Sequence, residues 1–402
     1  MIIKPRIRGF ICTTAHPSGC AEHVNYQIQR VRSQGELRAG DFKNVLVLGC
    51  SGGYGLASRV VAGFGAQAST LGVSLEKEPS ANKTASAGWY NNKAFEAFAS
   101  KEGLYAKTIN GDAFSDDIRQ QAIETIKKDL GPIDLVVYSL ASPVRLHPKT
   151  EILHRSSIKP LGDEILEMKS VNVDKGEVTQ VSLEPASKQE VDDTVAVMGG
   201  QDWEYWIEAL KDEDLLAPGC QTIAFTYIGS ELTWPIYWDG TLGQAKMDLD
   251  RAQRSISESL DNLGGSARVA VLKAIVSQAS AAIPVVPLYV ALLFKVMKEL
   301  NIHEDCISHI HRLFSTQLKP GASQRLDENS RIRMDDQELT DDVQTEVRRR
   351  WELVETSNLS EYGDLEGFRE DFLKIFGFGF GSVDYDQDVD PLGLSISEHP
   401  LG

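Results

Sequence analysis

The segment NVLVLGCSGGYGLASRVVAGFG, residues 44–65, constrains this chain more than any other. VLVLG is a short apolar run, as a strand requires when both of its faces are buried. A glycine-rich turn follows at once, then a helical pattern from Leu56 to Phe64. The alternation recurs. AQASTLGVSLEKE predicts a second strand ending near Ser74 to Glu76, and a helix around residues 90–102 leads to a third strand in YAKTINGDAF. DDIRQQAIETIKKDLG is helical and feeds a fourth strand, IDLVVYSLASP. Strands alternating with helices in this way predict an α/β fold with a doubly wound parallel sheet. Such sheets bind ligands at the C-terminal ends of their strands, where the strand order switches.

Gly49, Gly53 and Gly55 give the spacing G-x-x-x-G-x-G, that of short-chain-dehydrogenase-like folds. Glycines permit positive φ and let the backbone approach a pyrophosphate resting on the next helix N-terminus. A purely structural tight turn is the plain alternative, but the strand before and helix after favour a dinucleotide site. Glu76 lies 21 residues beyond Gly55, at the end of the second strand. A carboxylate there can accept from both adenosine-ribose hydroxyls and repels a 2′-phosphate, which favours NADH over NADPH. Lys77 adjoins it, so a preference is expected rather than strict selectivity. The alternative for Glu76 is a solvated surface acid. Asp112 is placed to accept from an adenine amino group, and Ser139 to Ser142 end the fourth strand where a cofactor ribose would pass.

Beyond Pro143 the alternation breaks. EMKSVNVDKGEVTQVSLEP predicts a hairpin turning at Asp174-Lys175-Gly176, and ASKQEVDDTVAVMGGQDWEYWIEAL is helical. The sheet resumes in CQTIAFTYIG and RVAVLKAIVSQ. The run Ala274 to Phe294 carries no charge, but Pro284 and Pro287 interrupt it; a buried strand, a loop and a helix from near Pro287 are expected, not a membrane span. Residues 295–402 are mostly helical and charged, ending in a Gly-rich, acidic and loose tail. The N-terminus lacks the pattern of a signal peptide.

The 402 residues carry a formal net charge of -17, which argues against a nucleic-acid or membrane-surface binder. Five cysteines, Cys12, Cys20, Cys50, Cys220 and Cys306, show no C-x-x-C, so free thiols in a cytoplasmic, reducing compartment are expected. The one dense ligand patch, NIHEDCISHIH, reads as an amphipathic surface helix, and no metal site is expected.

Tyr237 and Lys246 are separated by eight residues. Nine positions on a straight helix turn the chain by roughly 900°, which leaves the two on opposite faces. If they cooperate, one must lie off the helix. Pro235 and the glycines of WDGTLG allow this, with Asp239 or Thr241 as N-cap. Ala245, Leu249, Ala252, Ile256 and Leu260 then mark the buried face. A phenol is a proton source and hydrogen-bond donor. A nearby lysine ammonium would lower its pKa and hold the nicotinamide-ribose hydroxyls. Together they would stabilise an oxyanion. Spacing alone leaves open the plainer reading of a packed aromatic and a solvated charge.

Taken in order, KPRIRGFICTTAHPSGC, GCSGGYGLASR, GWYNNKAFE, NGDAFS, DLVVYSLASP, EVTQVSLEPAS, TYIGSELTWPIYWDGTLGQAK and SQASAAIPVVPLY resemble the single-chain trans-2-enoyl thioester reductases of the FabV/Ter type. The resemblance runs over most of the chain. It implies an enlarged, short-chain-dehydrogenase-like Rossmann fold with helical and hairpin insertions, a Tyr-x8-Lys couple, and NADH-dependent reduction of the 2,3 double bond of an enoyl-CoA or enoyl-acyl-carrier protein in fatty acid synthesis. By that resemblance Tyr237 is the catalytic acid and Lys246 contacts the cofactor ribose. Tyr227 is the substrate-contacting tyrosine. The cofactor segments are Gly49, Cys50, Ser51, Gly52, Gly53 and Tyr54, then Leu75 and Glu76, Asp112 and Ala113, Leu140 and Ala141, and Ile275, Val276 and Ser277. The helix near Pro287 lines the acyl pocket. Hydride reaches the β-carbon, Tyr237 holds the enolate oxygen, and Tyr237 or solvent protonates the α-carbon. Two departures stand out: Met247 where many relatives carry a second lysine, and Leu75 where phenylalanine is frequent.

A monomer of one enlarged domain is expected over residues 1–402, with a dinucleotide-binding half at 45–145 and an insertion at 150–220. The Tyr/Lys and substrate-pocket region spans 221–300, and a helical extension spans 301–402. A carbonyl-reducing short-chain dehydrogenase would need a tyrosine where Leu242 stands. An NADH-binding regulatory protein on the same fold would need neither Tyr237 nor Lys246.

Overall fold

The computed structural model describes residues 1–9 and 11–393. Seven strands form the central sheet: β1 (Asn44–Leu48), β2 (Ser69–Ser74), β3 (Ala106–Asn110), β4 (Ile133–Tyr138), β5 (Leu216–Thr226), β6 (Ser266–Val271) and β7 (Ile332–Arg333). Their order is β7-β6-β5-β4-β1-β2-β3, every pair parallel. The direction of winding reverses between β1 and β4, so a crevice opens there at the strand C-terminal ends.

The helices of eight residues or more are α1 (Pro17–Gln34), α2 (Gly53–Val60), α3 (Ala87–Lys101), α4 (Asp116–Asp129), α5 (Lys188–Met198), α6 (Gln201–Asp212), α7 (Thr241–Leu260), α8 (Val286–Glu299), α9 (Cys306–Leu313), α10 (Asp341–Leu353) and α11 (Leu365–Ile375). β1 is apolar on both faces because helices cover both. Val45 and Val47 pack with α1, α2, α3 and α9. Leu46 and Leu48 point the other way, into α4, α6 and α7. A third apolar cluster lies under α8, α10 and α11 and includes Tyr237 and Leu242. Each fully buried aliphatic side chain in these layers contributes about 1.5–3 kcal/mol.

The parallel sheet, the hairpin and the buried face of α7 form as the patterning predicts. The hairpin pairs Leu166–Asn172 with Glu177–Leu183, and Gly176 sits at φ +69 in its turn. Ala245, Leu249, Ala252, Ile256 and Leu260 are all buried. None of the helices in the described residues is long and apolar enough to cross a membrane.

Five local expectations differ. The long helical segment is two helices, α5 and α6, broken at Gly199-Gly200. A Cβ on Gly200 would stand 2.2 Å from that of Ala252, so the break lets the backbone close on α7. Neither Asp239 nor Thr241 caps α7; Gly240 occupies the N-cap, without a side-chain bond. Thr241 instead donates its hydroxyl to the Ser157 carbonyl. The strand expected after Val271, ahead of the helix near Pro287, does not form, because side chains satisfy the backbone there: the amide of Lys273 donates to His309 Nε2 at 3.4 Å and that of Ala274 to Glu338 Oε2 at 2.6 Å. Helix α9, expected at the surface, is packed, with His309 and His311 buried and bonded to Glu304 and the Gly35 carbonyl. The tail is not loose as far as residue 393. Phe376, Phe378 and Val389 are buried, and the His16 amide donates to the Phe376 carbonyl at 2.9 Å.

Candidate active site

The glycine turn joins β1 to α2 beside the end of β4. Gly49 has φ +85, and a Cβ there would lie 2.2 Å from the Ser139 carbonyl oxygen. A Cβ on Gly55 would lie 1.9 Å from the Gly49 carbonyl. The two glycines therefore let the turn fold onto itself and onto β4. Gly52 caps α2 without a side-chain bond, so the first amides of the helix face outward over exposed Gly52 and Gly53. Such a helix start is the kind of site that suits an anion. Cys50 is buried, and the Tyr54 hydroxyl donates to the Lys273 carbonyl at 2.6 Å. Those two side chains support the turn from behind.

Glu76 stands where β2 ends, one edge away from the turn. Ser51 donates to its Oε1 at 2.5 Å and Ser86 to its Oε2. Asn110 clamps its backbone, accepting from the Glu76 amide at 2.8 Å and donating to its carbonyl at 3.0 Å. The carboxylate is thus fixed rather than freely solvated. Leu75 beside it is 70% exposed. Asp112 receives the Phe114 amide at 3.0 Å, and Ala113 is buried, its carbonyl accepting from Trp206. Leu140 and Ala141 lie on the partly open loop after β4. Ser277 caps the short helix Gln278–Ala281, accepting from Ser280 at 3.0 Å, and holds the Ile275–Ser277 segment beyond β6.

Tyr237 follows a single 3-10 turn, Trp234–Ile236, and Lys246 lies in the second turn of α7. The Tyr237 carbonyl accepts from the amides of Gly240 at 3.2 Å and Gly243 at 3.0 Å, which folds the loop back against the helix. Gly243 makes this approach possible: a Cβ there would lie 1.7 Å from the Trp238 carbonyl. The off-helix placement argued from spacing is the one observed. Tyr237 is 8% exposed, and among the described residues its hydroxyl has no hydrogen-bond partner. Burial raises its pKa, whereas a lowering by Lys246 was expected. Lys246 is half-buried; desolvation lowers its pKa to about 8, opposed by Asp250 one turn on.

Three residues at the site, Tyr289, Lys273 and Glu338, escaped the sequence reading. Tyr227, at the end of β5, donates to Glu338 Oε1 at 2.9 Å, and Tyr289 on α8 donates to the same oxygen at 2.8 Å. Lys273 is buried, with its ammonium on the carbonyls of Ala274 and Glu304. Tyr289 hides in an apolar run, and Glu338 in an acidic one. The sequence holds no signal that pairs them. Among the described residues, no cluster of metal-ligating side chains occurs.

Residues 2–81 match the NAD(P)H binding domain of trans-2-enoyl-CoA reductase and residues 83–319 its catalytic region. Residues 326–389 match a segment described as an enoyl reductase FAD binding domain. The enoyl-[acyl-carrier-protein] reductase [NADH] of Aliivibrio salmonicida is 54% identical over 394 residues, covering 98% of each chain. A Vibrio cholerae protein of that name, numbered 1, is 53% identical over 393 residues, 97% of this chain and 98% of that one. The structure of Treponema denticola trans-2-enoyl-CoA reductase in complex with NAD superposes with a TM-score of 0.93 at 47% identity, covering 97% of this chain and 98% of that one. That of the Clostridium acetobutulicum enzyme in complex with NADH gives 0.93 at 41%, covering 98% and 100%.

The flavin named for the third segment does not fit the residues there. They supply edge strand β7 and helices α10 and α11, whose Val343, Val347, Phe368 and Phe372 are packed into the cores. Among the described residues of this segment, no glycine turn links a strand to a helix N-terminus.

Proposed function

This chain belongs to the trans-2-enoyl-CoA reductase family, and on that premise we propose how its residues carry out the reaction. It is an NADH-dependent oxidoreductase that reduces the 2,3 double bond of trans-2-enoyl thioesters. A regulatory protein that merely senses NADH is not what its relatives are. The observation that carries the residue roles is a buried tyrosine, Tyr237, with an unpartnered hydroxyl, folded against the helix of Lys246 at the edge that also holds the glycine turn.

The glycine cradle and the outward amides of α2 hold the pyrophosphate, with Gly49, Cys50, Ser51, Gly52, Gly53 and Tyr54 in contact. Glu76 accepts from the adenosine-ribose hydroxyls, Leu75 and Asp112 with Ala113 flank the adenine, and Leu140, Ala141 and Ile275 to Ser277 border the nicotinamide half. Bound NADH supplies the hydride that arrives at the substrate β-carbon. Tyr237 donates its free hydroxyl to the thioester oxygen, where negative charge develops as the α,β bond is reduced. An oxyanion donor in a dry site stabilises that charge far more than it would in water. Lys246 holds the nicotinamide-ribose hydroxyls and presents a positive charge to the same region. Tyr227 contacts the substrate from the β5 side. The apolar wall of α8 takes the acyl chain.

All of these groups come from one chain, so a monomer working as one enlarged domain suffices. Five free thiols suit a reducing cytoplasm. The carrier, coenzyme A or acyl-carrier protein, is read from steady-state kinetics with matched crotonyl-CoA and crotonyl-carrier substrates and NADH. Crotonyl-thioester-dependent NADH oxidation by the wild type, lost in Tyr237→Phe with NADH binding retained, is the expected result. Full turnover by Tyr237→Phe would overturn the role of Tyr237.

A further inference from the structure

We propose that Glu338 is a positioning residue of this active site: its carboxylate fixes the Tyr227 hydroxyl and, through the Tyr227 ring, the placement of Tyr237. The inference rests on the function proposed above. Glu338 comes from the loop between β7 and α10, in the segment whose flavin-binding description the fold does not support. Its side chain is 0% exposed.

Every contact of this carboxylate reaches an element of the site. Oε1 accepts from Tyr227, at the end of β5, at 2.9 Å, and from Tyr289 of α8 at 2.8 Å. Oε2 accepts from the amide of Ala274 at 2.6 Å, immediately before the Ile275–Ser277 segment. One residue thus ties the loop leading to Tyr237, the acyl-pocket helix and a proposed cofactor segment. Gln344 of α10 closes the group from behind, donating to the Tyr289 hydroxyl at 3.2 Å and to the Glu338 carbonyl at 2.7 Å.

A buried carboxylate is a costly way to fill space, since well-packed apolar residues usually serve stability as well or better. What it provides is direction. Two phenol protons pointed at one oxygen cannot point elsewhere, so the Tyr227 ring is held in one orientation. That ring meets Tyr237 edge-on. The neighbouring Lys273 ammonium offsets part of the buried charge. With Tyr227 fixed, the Tyr237 hydroxyl is the one phenol of the pair free to donate to substrate.

The test compares wild type, Glu338→Gln, Glu338→Asp, Tyr227→Phe and the Glu338→Gln/Tyr227→Phe double variant. Steady-state kinetics with crotonyl-CoA and NADH, NADH fluorescence titration and thermal melting are measured for each. Glutamine keeps the volume but sets an amide against either the Ala274 amide or the phenols; aspartate keeps the charge but withdraws it. For both, kcat is expected to fall about 10- to 100-fold, the worth of bonds to a charged group, while the NADH dissociation constant stays within about twofold. The double variant is expected to be no worse than about twofold below the weaker single variant, because both changes cut one linkage. Multiplicative effects in the double variant, wild-type kcat in either Glu338 variant, or NADH affinity lost in proportion to kcat would each overturn the proposal. A wild type that oxidises no NADH with any crotonyl thioester would instead overturn the proposed function.

Discussion

The ring of Tyr227 stands edge-on to that of Tyr237, centroids 5.1 Å apart and planes at 81°. The two phenols share an environment but not a freedom. Tyr227 donates its hydroxyl to Glu338, whereas Tyr237 has no partner among the described residues. Tyr237→Phe therefore removes a group that makes no bond in the fold. Its melting temperature should equal or slightly exceed that of the wild type, since a hydroxyl with no partner in the fold contributes nothing to stability. Its kcat should fall by about 10²- to 10⁴-fold, the range for losing an acid or an oxyanion donor. Calorimetry and turnover measured on one preparation check both halves. A variant that loses both together would make Tyr237 a packing residue.

Lys246 carries a pH signature. Desolvation brings its pKa down to about 8, so its ammonium persists below that pH and is lost above it. If the charge grips the ribose, kcat/KM for NADH is level up to about pH 8 and then falls roughly tenfold per pH unit. Lys246→Met should lack this limb and be slower throughout. Stability runs in the opposite direction. The folded pKa lies below the ordinary value of 10.5, so the fold disfavours the charged form. The penalty is full below about pH 8 and is relieved between there and pH 10.5. Lys246→Met is thus expected to melt higher than the wild type at pH 7, with the gap closing by the alkaline end of that window.

Glu76 is held by Ser51 and Ser86, so under the proposed cofactor placement it would repel a 2′-phosphate from a fixed position. Glu76→Ala should raise KM for NADH roughly tenfold, through loss of charge-assisted bonds, and improve relative use of NADPH by a similar factor. The NADH-to-NADPH ratio of kcat/KM is the measurement. An unchanged ratio would mean that discrimination resides elsewhere.

How far the sequence could be read follows from the range of each interaction. The glycine turn and β1 are local: strand, turn and helix lie within residues 44–65, and the contacts that require Gly49 and Gly55 are backbone contacts of that unit and of Ser139. The displacement of Tyr237 from α7 was likewise legible, because Pro235 and two glycines sit between it and Lys246. The caps were misassigned because Thr241 spends its hydroxyl on Ser157, 84 residues away. The expected lowering of the Tyr237 pKa failed for a similar reason: burial in the cluster under α8, which spacing does not encode, dominates. Glu338 is the extreme case. It joins Tyr227 across 111 positions from within MDDQELTDD, where local pattern suggests only solvated acid.

Met247 bears on the choice of carrier. It is 47% exposed on α7, directly after Lys246, and its sulfur accepts from the Gln244 side-chain amide at 3.9 Å. A lysine there would point outward beside the site, where it could meet the phosphates of coenzyme A or of a carrier's phosphopantetheine arm. Met247→Lys removes no buried contact, so stability should change by no more than about 0.5 kcal/mol. The added charge touches neither Tyr237 nor the hydride path, so kcat should stay within about twofold. What should change is KM for crotonyl-CoA, down about two- to fivefold at low ionic strength. Because an exposed charge acts through water, the gain should fade as salt is raised toward about 1 M, where the screening length is near 3 Å. Initial-rate measurements across a salt series check both points. A KM that does not respond to the substitution at any ionic strength would place the thioester's phosphates away from the start of α7, and with them the docking side of the carrier.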